Sequence, residues 1–280
     1  MTNQKTRRND IPSTMIFRTL LFLMIFFCWN CATNPWRSSN KVYKQRTKEL
    51  SGRLQQIPPN YPDSISPWIG TTNFDLRRPN YVIIHHTAQN NCEETLKTFT
   101  TSKSQVSAHY VICKDGSVHH MLNDYFRAWQ AGVSKWGNNT DINSSSIGIE
   151  LDNNGFEYFT ERQINSLMVL LDTLKKKYNI PTPNFIGHGD IAPGRKVDPN
   201  WRFPWKLLAD HGFGIWFRDT TQIPLPQNFD YLVALRIVGY DLKDTLASMA
   251  AFKRHWLQDT LSPILSEPDK KVLFCLSTTQ

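Results

Sequence analysis

The chain is organised around the stretch Tyr81-Val82-Ile83-Ile84-His85. A continuous apolar run of this length predicts a strand that is buried on both faces, at the centre of a sheet. His85 then lies where the strand ends, and the loops that follow strands are common places for binding and catalytic groups. The run therefore predicts both the middle of the fold and one candidate functional residue.

Further strand and helix patterns alternate after this run. The predicted elements are strands at 107–112, 117–121 and 146–151 and a short helix at 95–101. A longer helix is predicted from Thr160, a good N-cap, to Tyr178, and Gln163 completes a capping-box pattern at its start. This alternation predicts an α/β fold in which a mixed central sheet is flanked by helices.

A loop at 187–199 concentrates chemistry-bearing side chains. It follows the strand-like Asn184-Phe185-Ile186 and contains His188, Lys196 and Asp198. Pro199 disfavours a helical conformation at Asp198, so Lys196 and Asp198 are expected to point to the same side of an extended segment. Taken alone, the loop fits either a surface salt bridge or a metal site.

Other segments supply what a metal site in this loop would lack. Zinc hydrolases use three protein ligands and leave a position for water, and they need a base and an oxyanion donor. His85, His188 and Asp198 can be the ligands of one zinc ion. Glu150, on the polar face of the strand at 146–151, can be the base, and Lys196 the donor.

Size and charge narrow the classes of function. The chain has 280 residues, 40% of them hydrophobic and 20% charged, as in a globular protein. Of its net charge of +8, +3 precedes residue 32, and the remaining +5 is not concentrated in any basic block. We therefore expect no nucleic-acid partner and instead an affinity for an anionic matrix or polymer.

The amino-terminal segment predicts export. Residues 15–29 are apolar except for Arg18 and Thr19 and follow a basic start, which favours a secretory signal over a transmembrane helix. With Cys28 and Cys31 at its end, the segment 1–31 resembles a bacterial lipoprotein signal. That implies a lipid anchor, preferably on Cys31, and a periplasm-facing lipoprotein of the outer membrane. An uncleaved signal anchor is the alternative.

The remaining cysteines and the chain ends leave alternatives open. Cys92 and Cys113 can form a disulfide in an oxidising compartment or remain buried thiols, and Cys275 has no evident partner. Residues 32–75 are polar and rich in proline, which predicts a tether. Residues 226–280 predict a separate helical module, with apolar stripes such as Leu235 and Val238, and Leu246 and Phe252.

The chemistry-bearing segments together resemble a known family. They are Val82-Ile83-Ile84-His85-His86-Thr87-Ala88, Ser107-Ala108-His109-Tyr110, Ser146-Ile147-Gly148-Ile149-Glu150 and the loop to Pro199. In type, order and spacing they resemble bacterial N-acetylmuramoyl-L-alanine amidases of the AmpD/AmiD type. These share their fold with peptidoglycan recognition proteins. The resemblance covers roughly residues 76–219.

The resemblance implies a function and a site. The expected reaction is hydrolysis of the amide between N-acetylmuramic acid and L-alanine in peptidoglycan or muropeptides. The family's zinc ligands fall on His85, His188 and Asp198, its glutamate on Glu150 and its lysine on Lys196. The alternative is a peptidoglycan receptor of the same fold that binds without cutting.

Some positions stay ambiguous within this resemblance. Successive strand residues face opposite ways, so only one of His85 and His86 can face the metal, and His85 is preferred. Gln130 stands where the family has histidine, and His109 fits either substrate contact or a structural role. Residues 226–280 resemble a peptidoglycan-binding module, with a helical cap on the catalytic domain as the alternative.

Overall fold

The computed structural model describes residues 34–55, 71–73, 75–76, 78–260 and 262–279. The predicted signal segment at 1–31, and Pro58, Pro59, Pro62 and Pro67 of the predicted tether, lie outside these residues. The chain divides into two units, Met1–Ile69 and Gly70–Gln280. In the first unit the described part is helix α1, Arg37–Leu54, which has no buried residue. Within the described residues, no helix combines the length and apolarity needed to cross a bilayer.

The second unit contains a five-stranded mixed sheet. Its strands are β1 Tyr81–His86, β2 Tyr110–Ile112, β3 Val118–His120, β4 Ser146–Leu151 and β5 Phe185–Gly187. They lie in the order β3-β2-β4-β1-β5, and all neighbours are parallel except the antiparallel β2–β3 hairpin. The apolar run at 81–85 thus forms part of an internal strand, and the predicted α/β fold with a mixed sheet is confirmed.

Eight helices in the described part of this unit flank or follow the sheet. They are α2 Cys92–Thr100, α3 Ile142–Ser145, α4 Glu161–Tyr178, α5 His188–Ile191, α6 Trp205–Asp210, α7 Tyr231–Val238, α8 Thr245–Phe252 and α9 Glu267–Thr278. A π-helical turn, Lys253–Leu257, extends α8. The predicted loop at 187–199 is therefore not extended throughout, because it begins with the single turn of α5.

Helix α4 starts as predicted, but its first turn is built differently. The Thr160 side chain accepts a hydrogen bond from the backbone N–H of Gln163, which is an N-cap. The predicted capping box is wrong, since the buried amide of Gln163 donates instead to the carbonyls of Ile112 and Asp152. Gln163 therefore ties the helix to the ends of β2 and β4.

The two faces of the sheet pack into different cores. One face packs on α4 through buried residues such as Ile84, Ile149 and Leu171. The opposite face carries a smaller cluster that includes Ile83 and Ile186. This division follows from the side-chain alternation of a strand, and it leaves His85 on the same face as Ile83.

The carboxy-terminal helices share a third core. Helices α7, α8 and α9 bury Leu235, Phe252 and Leu273 together, as the stripes predict. Leu246 is an exception to its predicted stripe, because it is 56% exposed. Trp216 packs against both this core and the core beneath the sheet.

The structure decides between a disulfide and free thiols for Cys92 and Cys113, because it brings the two residues together. Cys92, at the start of α2, and Cys113, just after β2, form a disulfide. Cys275 is a buried free thiol in α9.

Candidate active site

The parallel sheet brings the distant candidate residues to one edge. His85 and Glu150 are direct partners in the register of β1 and β4, so their side chains lie side by side on one face. His188 follows β5 directly, and β5 is the other neighbour of β1. Because parallel strands end at the same edge, residues that are 38 to 103 positions apart in the sequence meet there.

Three of these side chains converge on one point. The Nδ1 atoms of His85 and His188 each lie 3.0 Å from the same oxygen, Oδ2 of Asp198. One ligand atom from each residue lies within 4.8 Å of the others, and all three residues are buried. The Gly189 amide also donates to the Asp198 carbonyl at 2.6 Å, which closes the loop on itself.

A chain of hydrogen bonds fixes the tautomer of His85. The Ser146 hydroxyl donates to the Ile142 carbonyl at 2.6 Å, so its oxygen is free to accept from the Gln130 amide nitrogen at 2.7 Å. The amide oxygen of Gln130 then faces Nε2 of His85 at 2.5 Å. An oxygen acceptor there requires a proton on Nε2, and the lone pair of His85 is left on Nδ1.

The second histidine is arranged in the same way. Nε2 of His188 donates to the Ala131 carbonyl at 3.1 Å. Arg195 donates to the same carbonyl at 2.6 Å and holds it in place. The lone pair of His188 is therefore also on Nδ1, directed at Asp198.

This donor set fits a metal ion. Two imidazole lone pairs and a carboxylate oxygen converge, and their ring N–H groups are directed elsewhere, so a cation is the natural occupant. Two histidines and one aspartate, with room for a fourth ligand, are typical of catalytic zinc.

Without metal, the same convergence perturbs the pKa of each ligand. Burial, reinforced by the charge of His85, lowers the pKa of His188 to about 4. Burial also disfavours protonated His85, but Glu150 and Asp198 outweigh it and raise its pKa. Burial opposes ionisation of Asp198, yet in the metal-free site the two histidines, when protonated on Nδ1, donate to its carboxylate and hold its pKa well below its ordinary value.

Glu150 has the properties of a general base. Its Oε1 lies 4.0 Å from Nδ1 of His85. Its Oε2 is buried and has no hydrogen-bond partner among the described residues. Burial raises the pKa of this carboxyl to about 7, opposed by the charge of His85. A base with a pKa near the working pH is well matched to proton transfer.

Lys196 is a cation without a fixed partner among the described residues. It is partly exposed, and its positive charge acts to lower the pKa of Glu150. In the described part of the chain its ammonium group forms no ion pair, and the alternative salt bridge with Asp198 is absent. The loop is thus arranged around the ligands and not around a lysine–aspartate pair.

The two ambiguous histidines have separate surroundings. His86 points to the opposite face of β1, where its Nδ1 accepts from the Asn200 amide at 3.0 Å. His109 is completely buried, with its Nδ1 accepting from the Gly148 amide and its Nε2 donating to the Phe126 carbonyl. These bonds give His109 a structural role, and its contact with substrate stays a prediction.

The contact between Gln130 and His85 was not predicted from the sequence. The family resemblance marks Gln130 only as a glutamine in the place of a histidine. A signal was present in β4, where a Cβ atom on Gly148 would lie 2.7 Å from Cγ of Gln130. Glycine inside a strand often marks such a close approach.

Comparison with known proteins agrees with this geometry. Residues 75–201 match the profile of the N-acetylmuramoyl-L-alanine amidase family. The chain is 36% identical over 151 residues to AmiD of Escherichia coli, covering 48% of this chain and 54% of AmiD. It is 39% identical over 103 residues to AmpD of Haemophilus influenzae, covering 36% and 56%. The chain therefore spans about half the length of the curated relatives it matches.

Solved structures extend the likeness beyond the matched region. E. coli AmiD, in a complex with the substrate anhydro-N-acetylmuramic acid-L-Ala-D-γ-Glu-L-Lys, superposes with a TM-score of 0.66 at 26% identity, covering 75% of this chain and 93% of AmiD. AmpDh3 of Pseudomonas aeruginosa, in a complex with an anhydromuramic pentapeptide, gives 0.67 at 28% identity, covering 80% and 99%.

Fold, site and matches agree on one class: residues 75–201 match the N-acetylmuramoyl-L-alanine amidase family. Within that family, this region is similar to the AmpD/AmiD type. The resemblance inferred from the sequence is confirmed.

Proposed function

We propose that the protein is a zinc-dependent amidase of the bacterial cell wall. It would cleave the amide between N-acetylmuramic acid and L-alanine in peptidoglycan or its muropeptides, in wall turnover and recycling. The observation that carries the proposal is the convergence of His85, His188 and Asp198 beside the unpartnered oxygen of Glu150. The muramyl peptides bound to AmiD and AmpDh3 support this substrate class.

Each group in the site has a distinct part in the reaction. His85, His188 and Asp198 would hold the zinc ion, which when bound acidifies a coordinated water and polarises the scissile carbonyl. Glu150 would accept a proton from the attacking water and deliver it to the leaving amine of L-alanine. The Lys196 ammonium would stabilise the negative charge that develops on the carbonyl oxygen.

The surroundings of the two histidine ligands and of Glu150 suit these roles. Gln130 and the Ala131 carbonyl direct both histidine lone pairs toward the metal position. Partners of this kind orient ligands and raise their basicity. The burial of Glu150 keeps a proton acceptor poised near neutral pH.

The test is incubation of the protein with a muramyl tripeptide, with and without a chelator, followed by chromatography of the products. We expect free peptide and N-acetylmuramic acid when zinc is present, and none after chelation. Binding of the tripeptide without release in the presence of zinc would favour the receptor and sink the amidase proposal. Release that persists after complete removal of metal would refute the zinc dependence.

We also propose that the protein works in the cell envelope as a lipoprotein anchored at Cys31. The apolar segment 15–29, followed by Cys28 and Cys31, supports this location. Metabolic labelling with a radioactive fatty acid tests it. Cys31→Ser should abolish the label and Cys28→Ser should keep it. The opposite pattern would place the anchor on Cys28. Absence of label from the wild-type protein would reject the lipid anchor.

A further inference from the structure

The carboxy-terminal helices make direct polar contact with the metal-binding loop. Asp190 lies two residues after His188, in the turn α5, and its side chain is almost completely buried. Its Oδ2 accepts hydrogen bonds from the Gly187 amide at 2.8 Å and from Nδ1 of His255 at 2.7 Å. Its Oδ1 accepts from the hydroxyl of Tyr240 at 2.8 Å.

Two of these three donors come from the helical segment, and both are held rigidly. The ring of His255 is stacked on Trp205, at 4.0 Å between centroids, and on Trp256, at 4.3 Å. The Tyr240 hydroxyl accepts from Trp256 at 3.3 Å, so its own proton is directed at Asp190. Burial and the charge of Asp190 raise the pKa of Tyr240 well above its ordinary value, so the hydroxyl keeps this proton.

The helices also approach the loop closely at Gly189. A Cβ atom on Gly189 would lie 3.0 Å from a guanidinium nitrogen of Arg254, in the π-helical turn. Gly189 is the residue whose amide donates to the Asp198 carbonyl. The backbone between the two ligands of the loop therefore lies against the helical segment at Gly189.

We infer that Asp190, His255 and Tyr240 form a brace by which the carboxy-terminal helices position the metal ligand His188. All three are positioning residues, since their polar groups contact one another and not the ligands' coordinating atoms. The helical segment is then a working part of the metal site, whatever else it binds. The inference rests on the proposed zinc amidase function. Because the contacts join the loop to the carboxy-terminal helices, it is tested in the complete chain.

The central test is the zinc affinity of His255 variants. His255→Phe keeps an aromatic ring between the two tryptophans and removes the donor to Asp190. His255→Asn keeps a donor close to the position of Nδ1. Leu273→Ala, at a fully buried position in the same helical core, weakens the helices without removing any polar group of the brace. Zinc dissociation constants are measured by competition with a chromogenic chelator.

We expect His255→Phe to weaken zinc binding about 10-fold or more, as is typical for partners that orient metal ligands. His255→Asn should recover most of this loss, and Leu273→Ala should stay close to wild type. The inference is overturned if His255→Phe binds zinc as tightly as wild type. It is also overturned if Leu273→Ala weakens zinc binding as much as His255→Phe, because the effect would then be general destabilisation.

Two further measurements separate this inference from the proposed function. In the metal-free protein, amide hydrogen exchange at Gly187 and Gly189 should be faster in His255→Phe than in Leu273→Ala, and equal rates would refute the brace even if the protein bound no zinc. At saturating zinc, His255→Phe should regain most of its kcat with an unchanged KM for muramyl tripeptide. If the wild-type protein bound zinc but released no peptide, the proposed amidase function would be refuted. The zinc-affinity test of the brace would still be valid.

Discussion

Replacing Glu150 with glutamine should inactivate the enzyme and stabilise its metal-free fold. Glutamine has nearly the same shape but neither ionises nor accepts the proton of an attacking water. General base catalysis contributes about 100- to 10,000-fold to rates, so we expect kcat on a muramyl tripeptide to fall by at least about 100-fold. Zinc affinity should change little, because Glu150 is not a ligand.

The stability change follows from the pKa of the buried carboxyl. In the folded protein this pKa is about 7, whereas the ordinary value is 4.5. Above pH 4.5 the unfolded chain loses this proton first, so the free energy of unfolding falls until the folded protein ionises too, near pH 7. A difference of about 2.5 units at 1.36 kcal/mol each amounts to about 3 kcal/mol. This stabilisation is present below pH 4.5 and lost above pH 7.

Urea unfolding of wild type and Glu150→Gln, both with chelator, measures this at pH 5 and pH 8. We expect the variant to gain about 2–3 kcal/mol relative to wild type between the two pH values, most of the full linkage. Glu161→Gln, the same change at an exposed helix position, is the control and should show little pH dependence. A constant difference for Glu150→Gln would refute the burial argument, and retained turnover would refute its role as the base.

Three other perturbations test separate parts of the molecule. Lys196→Met should lower kcat by about 100- to 1,000-fold without changing zinc affinity, because it removes an oxyanion donor; steady-state kinetics on muramyl tripeptide measure this. Gln130→Leu should weaken zinc binding about 10-fold or more, because it frees the ring of His85; chelator competition measures this. The double variant Cys92→Ala/Cys113→Ala should lose about 3 kcal/mol of unfolding free energy, from the closure entropy of a loop with a separation of 21; urea unfolding measures this.

Each of these has a control on the same structure. Lys206→Met removes an exposed lysine that pairs with Asp210, and it should leave kcat unchanged. Trp129→Phe, next to Gln130 and partly exposed, should leave zinc affinity unchanged. An equal loss in the control and the test variant would contradict the assigned role. Identical unfolding of the wild-type protein with and without a reductant would contradict the disulfide.

Local sequence patterns were enough to predict the main elements of the fold. The strand at 146–151 has the predicted bounds, and helix α4 begins after its predicted cap, Thr160. The strand predicted at 107–112 is shorter, Tyr110–Ile112. Its first residues satisfy their hydrogen bonds individually, as when the Ser107 amide donates to the Trp129 carbonyl. Such partners lie far away in the sequence and leave no periodic signal.

By itself, the sequence determined which residue types could form the site. A histidine that ends a buried strand, a glutamate on the polar face of another and a histidine–aspartate loop can be recognised from periodicity and spacing, because these patterns depend on neighbours in the chain. Together with the family resemblance, they predicted His85, Glu150, His188 and Asp198, which the structure brings together.

Only the tertiary structure decided how these residues are held. The bond from His85 to Gln130 and the bonds from Tyr240 and His255 to Asp190 join residues that are 45 to 65 positions apart. The burial of His109, and the choice of His85 over His86 as the residue that faces the metal site, depend in the same way on what packs against each face of the sheet. Long-range contacts depend on how the helices and strands pack against one another. Patterns of neighbouring residues in a single sequence do not specify that packing.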